Sequence, residues 1–215
     1  MENLASSIIY VGTGIAITLK LLLGGICIGI ALGLLMSILR YNGVCRYFIN
    51  GVISVVRGTP VILQLSFIYF TIPGIFGVKL TAIGAGIITF GLNSSAYVAE
   101  ILRAGIESIP KGQFEAARTL EIPMVPMWRD IILPQVVRNI LPAMVSEVIA
   151  LLKETALIAT IGGMDLMRRS QTLAAERFEY FMPLCIAGAY YYCLVLFIEF
   201  VGRKIERSEK YAKGI

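Results

Sequence analysis

The polar stretch IPKGQFEAARTLE, residues 109–121, interrupts an otherwise apolar chain, and the string IILP follows at residues 131–134. Pro110 suits the beginning of a helix, because its missing N–H would have no partner there. Apolar side chains then recur every three or four residues, at Phe114, Ala117 and Leu120. This spacing predicts a short amphipathic helix outside the bilayer, between two membrane spans, where it can dock to a partner protein.

The composition of the chain predicts a polytopic membrane protein. Of its 215 residues 57% are hydrophobic and only 15% are charged, and the mean hydropathy is +0.80. A bilayer-spanning helix needs about 20 apolar residues. Runs of this length lie at residues 10–39, 50–73, 81–107, 131–161 and 180–203. We therefore expect an all-α membrane protein with about five transmembrane helices, forming a single domain over residues 1–215, with a docking loop at about 108–130.

The distribution of Lys and Arg predicts the orientation in the membrane, because short cytoplasmic loops carry the excess of these residues. Most of them fall on the side of the 108–130 loop, and the other side has only four: Lys79, Arg168, Arg169 and Arg177. With five spans, this places the N-terminus outside and the docking loop and C-terminus in the cytoplasm. The net charge of +5 is thus explained by topology, and we expect no nucleic-acid partner.

Several classes of chemistry have no support in the sequence. Histidine is absent, and the four cysteines form no CxxC pair. We therefore expect no metal site and no catalytic residues of the histidine type. The chain also lacks a GxxxxGK[ST] phosphate-binding string, so any ATP hydrolysis must occur in a partner subunit.

The string VRGTP at residues 56–60 predicts a break in the second span, because Pro60 cannot donate to the preceding turn. A broken helix at membrane depth is tolerated where it is buried or lines a cavity. Arg57, Gly58 and Thr59 are therefore candidates for the wall of a binding site. A structural kink at the end of a span is the alternative.

Polar side chains inside the third and fourth apolar runs are the remaining candidates for a binding site. The third run has Asn93, Ser94 and Glu100, and the fourth has Glu147, Glu154 and Thr155. Glu147 and Glu154 are seven residues apart and share a helix face. A carboxylate within the membrane indicates a functional site, although hydrogen bonding between packed helices is an alternative explanation. Two acids on one face favour a cationic substrate.

Four strings together resemble permease subunits of bacterial ATP-binding-cassette (ABC) importers for polar amino acids, of the histidine, arginine, lysine and glutamine type. They are Glu115-Ala116-Ala117 with the later IILP, the RGTP string at residues 57–60, residues 95–105, and the KETAL string at residues 153–157. The sequence departs from the family pattern in having Glu121 where Gly is usual and Ala156 where Ser is usual. A Glu in place of that Gly costs about 1 kcal/mol or forces a different turn.

The resemblance implies the transmembrane domain of a type I ABC importer, in the bacterial inner membrane. It implies a separate ATPase subunit that binds ATP and Mg²⁺, a second permease subunit, an external substrate-binding protein and alternating access. The residues expected to dock to the ATPase are Phe114, Glu115, Ala116, Ala117, Leu120 and Glu121. Those expected to bind a polar, basic amino acid are Glu154, Thr155, Asn93, Ser94, Arg57, Gly58, Thr59 and Glu147.

Two other classes of protein remain as alternatives. A secondary transporter or channel would work without an ATPase and would have no use for a docking helix. An intramembrane enzyme would need a nucleophile with a base, and without histidine only a Ser–Lys pair with Lys20 or Lys153 is available.

Overall fold

The computed structural model describes residues 4–211 of the chain and the side chains of residues 4–207. Regular structure in these residues is helical throughout. The α-helices are α1 (Leu4–Gly12), α2 (Ile15–Tyr41), α3 (Arg46–Gly58), α4 (Val61–Ser66), α5 (Ile72–Phe76), α6 (Ala82–Glu107), α7 (Lys111–Thr119), α8 (Met124–Pro126), α9 (Leu133–Glu154), α10 (Leu166–Arg177) and α11 (Phe181–Tyr211). A π-helical turn, Phe67–Thr71, continues α4, and a second one, Met127–Ile132, precedes α9. A 3₁₀ helix, Thr155–Ile161, follows α9.

Helix α6 is the centre of the fold. Its most apolar stretch is 61% buried, against 28% for Leu4–Tyr41 and 11% for α11. Helix α2 packs along one side of α6 and α9 along another. The main apolar core between them contains Leu21, Leu22, Leu65, Ile68, Ala85, Phe90, Leu151, Leu152, Ile158 and Ile161. Polar side chains on α6 are therefore held inside the helix bundle.

Small residues allow α2 and α6 to approach closely. A Cβ atom added at Gly29 would lie 2.8 Å from the Cβ of Ser94, and one at Gly33 would lie 2.7 Å from the Cβ of Val98. Such distances are shorter than van der Waals contact, so these glycines let the two backbones pack directly. The glycine stripe of the first span thus serves a contact within the chain.

The second span is broken at the predicted position, and its two parts, Arg46–Gly58 and Val61–Phe76, meet at an angle of 103°. Thr59 is extended, as expected for a residue before proline. The break leaves backbone carbonyls without helical partners, and the side chain of Gln64 satisfies two of them. Its Nε2 donates to the carbonyls of Val56 at 2.8 Å and Thr59 at 3.2 Å, and to the Thr59 hydroxyl at 2.9 Å.

The five apolar runs all correspond to helices, but they are not equally suited to cross a bilayer. By length and composition three helices of the described chain qualify, Leu4–Tyr41, Ala82–Glu107 and Phe181–Arg207, or four if the bent pair is one span. Helix α9, which contains Glu147 and Glu154, is not among them. The all-α membrane fold is as predicted, and the number of five spans is approximate.

Candidate functional site

Two carboxylates from the second half of α9 face two polar side chains near the middle of α6. Asn93 Nδ2 donates to Glu154 Oε2 at 3.1 Å, and Ser94 Oγ donates to Glu147 Oε1 at 2.8 Å. Asn93 and Ser94 are buried, whereas the two glutamates are partly exposed. Four of the predicted residues therefore come together, and we call them the paired-carboxylate site.

The paired-carboxylate site has an excess of negative charge. Asn93 and Ser94 are neutral donors, and neither glutamate has an ion-pair partner among the described side chains. Lys153, next to Glu154 in sequence, is exposed. A carboxylate that lacks a cation within a helix bundle is costly unless water or a visiting cation compensates it. The site is thus suited to bind a group with a positive charge.

Arg57 lies elsewhere, contrary to its assignment to this site. Its guanidinium is 3.5 Å from Glu100 Oε2 and 5.1 Å from the ring centroid of Tyr97. Glu100 also binds Arg40 of α2 at 2.6 Å and Arg103 of α6 at 2.9 Å. These four charged residues form the Glu100 cluster.

The Glu100 cluster and the paired-carboxylate site occupy two levels of the same helix. Glu100 follows Asn93 by seven residues, which corresponds to about 10 Å along an α-helix. A cavity of about 390 Å³ opens beside the cluster and is lined by Arg57, Tyr97, Arg103, Ser108 and Asn139, among others. No local pattern indicates that Arg40 pairs with Glu100, because the two residues are 60 positions apart.

Thr155 also lies away from the paired-carboxylate site. It is fully buried at the beginning of the 3₁₀ helix, and its hydroxyl donates to the Leu152 carbonyl at 2.6 Å. Its side chain also contacts the Tyr191 hydroxyl, which donates to Asp165 Oδ2 at 3.0 Å. The role predicted for Thr155 in contacting a ligand is therefore not supported by its position.

Asp165 is a buried polar residue that the sequence analysis missed. It caps the beginning of α10 by accepting the Arg168 N–H at 2.8 Å. Burial raises the pKa of its carboxyl above the ordinary value, although the N–H of Arg168 and the hydroxyl of Tyr191 oppose this effect. An Asp three residues before the Arg-Arg pair of a polar helix was a recognisable N-cap signal.

Of the break residues, Gly58 is exposed and has open space around it, and Thr59 Oγ1 donates to the Val55 carbonyl at 2.9 Å. Neither residue hydrogen-bonds to Glu147 or Glu154. No group of three His, Cys, Asp or Glu side chains that could hold a metal ion occurs in residues 4–207.

The predicted docking helix is present as α7, but its apolar side faces its own chain. Ala117 is only 2% exposed, in a cluster with Ile109, Met127, Ile132 and Val136. Phe114 is half-buried, and its ring centroid is 6.1 Å from that of Trp128. The interpretation of Ala117 as a residue that faces a partner is wrong, because the loop after α7 folds back and covers it. Glu115, Ala116, Leu120 and Glu121 are exposed.

Glu121 ends α7 in the left-handed conformation that glycine usually provides. Its φ is 53°, and its N–H donates to the Arg118 carbonyl at 3.0 Å. The N–H of Ile122 donates to the Ala117 carbonyl at 2.9 Å. This pair of hydrogen bonds is a Schellman motif. Glu121 therefore adopts the strained left-handed conformation, and the chain keeps the turn that glycine usually makes at this position.

The helical fold, the broken span and the polar site inside the bundle define a membrane transport protein, and comparison with known proteins identifies its family. Residues 25–211 match the family described as binding-protein-dependent transport system inner membrane component. The chain belongs to this family. It is therefore a multi-pass permease subunit of an ABC transporter in the inner membrane, and not itself an enzyme. Membership implies an ATPase subunit and a substrate-binding protein as partners.

Relatives cover nearly the whole chain. A putative glutamine transport system permease of Rickettsia typhi (strain ATCC VR-144 / Wilmington) is 46% identical over 203 residues, which are 94% of this chain and 93% of that protein. The arginine transport system permease of Bacillus subtilis (strain 168) is 43% identical over 204 residues, with 94% and 93% covered. The crystal structure of an amino acid ABC transporter with histidines has a TM-score of 0.88 at 35% identity, covering 97% of this chain and 99% of that one.

Proposed function

We propose that the chain is the permease subunit of an ATP-driven importer for a basic amino acid. The observation that carries this proposal is the paired-carboxylate site, where Glu147 and Glu154 lack a cationic partner. The family and its amino-acid-transporting relatives support a polar amino acid as substrate. Relatives named for glutamine and for arginine make glutamine the fallback substrate.

Each residue of the site has a specific role in this proposal. Glu154 binds the ammonium or guanidinium group of the substrate, and Glu147 supplies the second negative charge. Asn93 and Ser94 orient the two carboxylates through the hydrogen bonds at 3.1 and 2.8 Å. The substrate carboxylate binds near the break at Gly58 and Thr59, where the helix after Pro60 begins with free N–H groups. Arg57, which is paired with Glu100, lines the translocation path at the level of the Glu100 cluster.

Transport proceeds by alternating access in this proposal. ATP and Mg²⁺ bind to a separate ATPase subunit, which docks to the exposed side of α7. An external binding protein delivers the amino acid, and a second permease subunit, identical or related, completes the path. The outward and inward states must differ in their affinity for the substrate, since equal affinity would shift no population.

The proposal is tested by replacing Glu154 with Gln, which keeps the size and hydrogen bonding of the side chain but removes its charge. In vesicles containing the complete transporter, we expect uptake of arginine or lysine to fall at least about tenfold, equivalent to roughly 1.4 kcal/mol. Glu179→Gln removes the same charge from an exposed loop position and should leave uptake unchanged.

Three results would contradict parts of this proposal. Unchanged uptake in Glu154→Gln would remove Glu154 from the site. A wild-type preference for neutral over cationic amino acids would refute the basic substrate and leave the broader amino-acid permease. Uptake by the chain alone, without ATPase, would instead indicate a secondary transporter or channel.

A further inference from the structure

An apolar groove of about 600 Å³ lies where the ends of α2 and α6 meet the beginning of α9. Its lining includes Leu34, Ile38, Leu102, Val125, Trp128 and Leu133. Leu34 and Ile38 are 42% and 57% exposed, and both lie on the apolar helix Leu4–Tyr41. Because this helix is suited to cross the bilayer, the groove is open to lipid from the side.

A second cavity, of about 440 Å³, adjoins the groove and has a different character. The two share Ser37, Tyr41 and Ile106, and the second cavity is further lined by Arg40, Arg46, Arg103 and Glu107. Arg40 and Arg103 bind Glu100, whereas Arg46 is exposed and has no ion pair among the described side chains. Even with Glu100 and Glu107 counted, the arginines of this cavity leave a positive charge.

We propose that one anionic phospholipid binds here, with an acyl chain in the apolar groove and its phosphate in the arginine-lined cavity. An apolar slot beside a cationic pocket at the end of a membrane helix matches the two parts of such a molecule. A zwitterionic lipid would bring its own cation close to Arg46, so the site selects lipids with a net negative charge. Arg40 and Arg103 of this site also belong to the Glu100 cluster. The inference does not depend on the identity of the substrate.

Trp128 makes this site relevant to the docking helix. It lines the groove, and its ring centroid is 5.2 Å from that of Tyr41 and 6.1 Å from that of Phe114 on α7. A bound acyl chain therefore contacts the residue that connects α2 with α7.

The binding is tested with the fluorescence of Trp128, which is the only tryptophan of the chain. The full chain is placed in phosphatidylcholine nanodiscs that contain either phosphatidylglycerol or phosphatidylcholine with brominated acyl chains, at equal mole fraction. We expect the brominated phosphatidylglycerol to quench Trp128 at least about twofold more strongly, because it is enriched at the site. Equal quenching by both lipids would overturn the proposal.

Arg46→Gln tests the position of the phosphate. Arg46 begins α3, where a cation opposes the helix dipole, so its loss should not weaken the fold. We expect both lipids to quench Trp128 of this variant equally. Lys204→Gln removes the same charge from an exposed position on α11 and should keep the preference. A preference that persists in Arg46→Gln would overturn the headgroup assignment. An absence of quenching in the wild type would mean that another protein surface covers the groove, and would overturn the proposal altogether.

Discussion

At the scale of single residues, Ser94 is where the packing of the bundle and the candidate site meet. Its hydroxyl donates to Glu147, and its Cβ would be 2.8 Å from a Cβ added at Gly29. Because α2 packs against Ser94 on one side and Glu147 accepts a hydrogen bond from Ser94 on the other, the position of one carboxylate depends on a glycine in a different helix.

Gly29→Ala should therefore destabilise the chain. The added methyl group has no space, and overpacking of this kind typically costs about 1–3 kcal/mol. Gly188→Ala is the matched control, because nothing lies within 4 Å of a Cβ at that helical position. We expect a lower midpoint of thermal unfolding in detergent for Gly29→Ala and an unchanged or higher one for Gly188→Ala. An unchanged midpoint for Gly29→Ala would mean that the helices separate without cost.

Glu121 provides a second prediction at this scale. A residue with a side chain costs about 1–2 kcal/mol in the left-handed conformation, and glycine does not. Glu121→Gly should therefore raise the unfolding midpoint, whereas Glu115→Gly, inside α7, should lower it by the equivalent of about 1 kcal/mol. A lower midpoint for Glu121→Gly would show that the Glu121 side chain has a stabilising contact.

At the scale of elements, the two sides of α7 differ, because one side packs against its own chain and the other is exposed. The stripe of Phe114, Ala117 and Leu120 predicted one apolar face toward a partner. In the structure Ala117 is buried against its own loop, while Leu120 is 71% exposed. The docking proposal therefore assigns the ATPase contact to the exposed side of α7, with Glu115, Ala116 and Leu120.

Substitutions on the two sides of α7 should differ in their effects. Leu120→Asp places a charge on the exposed side, so we expect it to weaken ATPase association at least about tenfold, or roughly 1.4 kcal/mol, without changing the unfolding midpoint of the permease. Ala117→Asp buries a charge in the apolar cluster and should lower that midpoint. Co-purification of the ATPase at wild-type stoichiometry with Leu120→Asp would contradict the docking proposal.

At the scale of the whole molecule, the distribution of Lys and Arg predicts that α7 lies in the cytoplasm and α10 outside. The termini themselves, residues 1–3 and 212–215, lie outside the described residues. We expect Ala175→Cys on α10 to react with an impermeant thiol reagent in intact cells and Gln113→Cys on α7 to react only after lysis. Both positions are exposed. Ser170 is fully buried, so a cysteine there would not react with the reagent. The four exposed native cysteines must first be replaced. The opposite labelling pattern would reverse the orientation.

The sequence was informative where a signal is local. The break at Pro60, the helix after Pro110 and the shared face of Glu147 and Glu154 each depend on neighbouring residues, and the structure contains all three. The sequence could not indicate that Arg57 pairs with Glu100, or that Ala117 is covered by the following loop. Those contacts depend on how distant segments pack, and an apolar stripe does not identify what will cover it.

The side chain of Gln64 changes what the broken span can do. Through its bonds to Val56 and Thr59 it fastens the helix after the break to the helix before it. Three hydrogen bonds of Gln64 therefore restrain the 103° angle between the two parts of the broken span. We therefore expect a displacement of α3 to rotate α4 and α5 with it, so that the two parts of the broken span move as one unit.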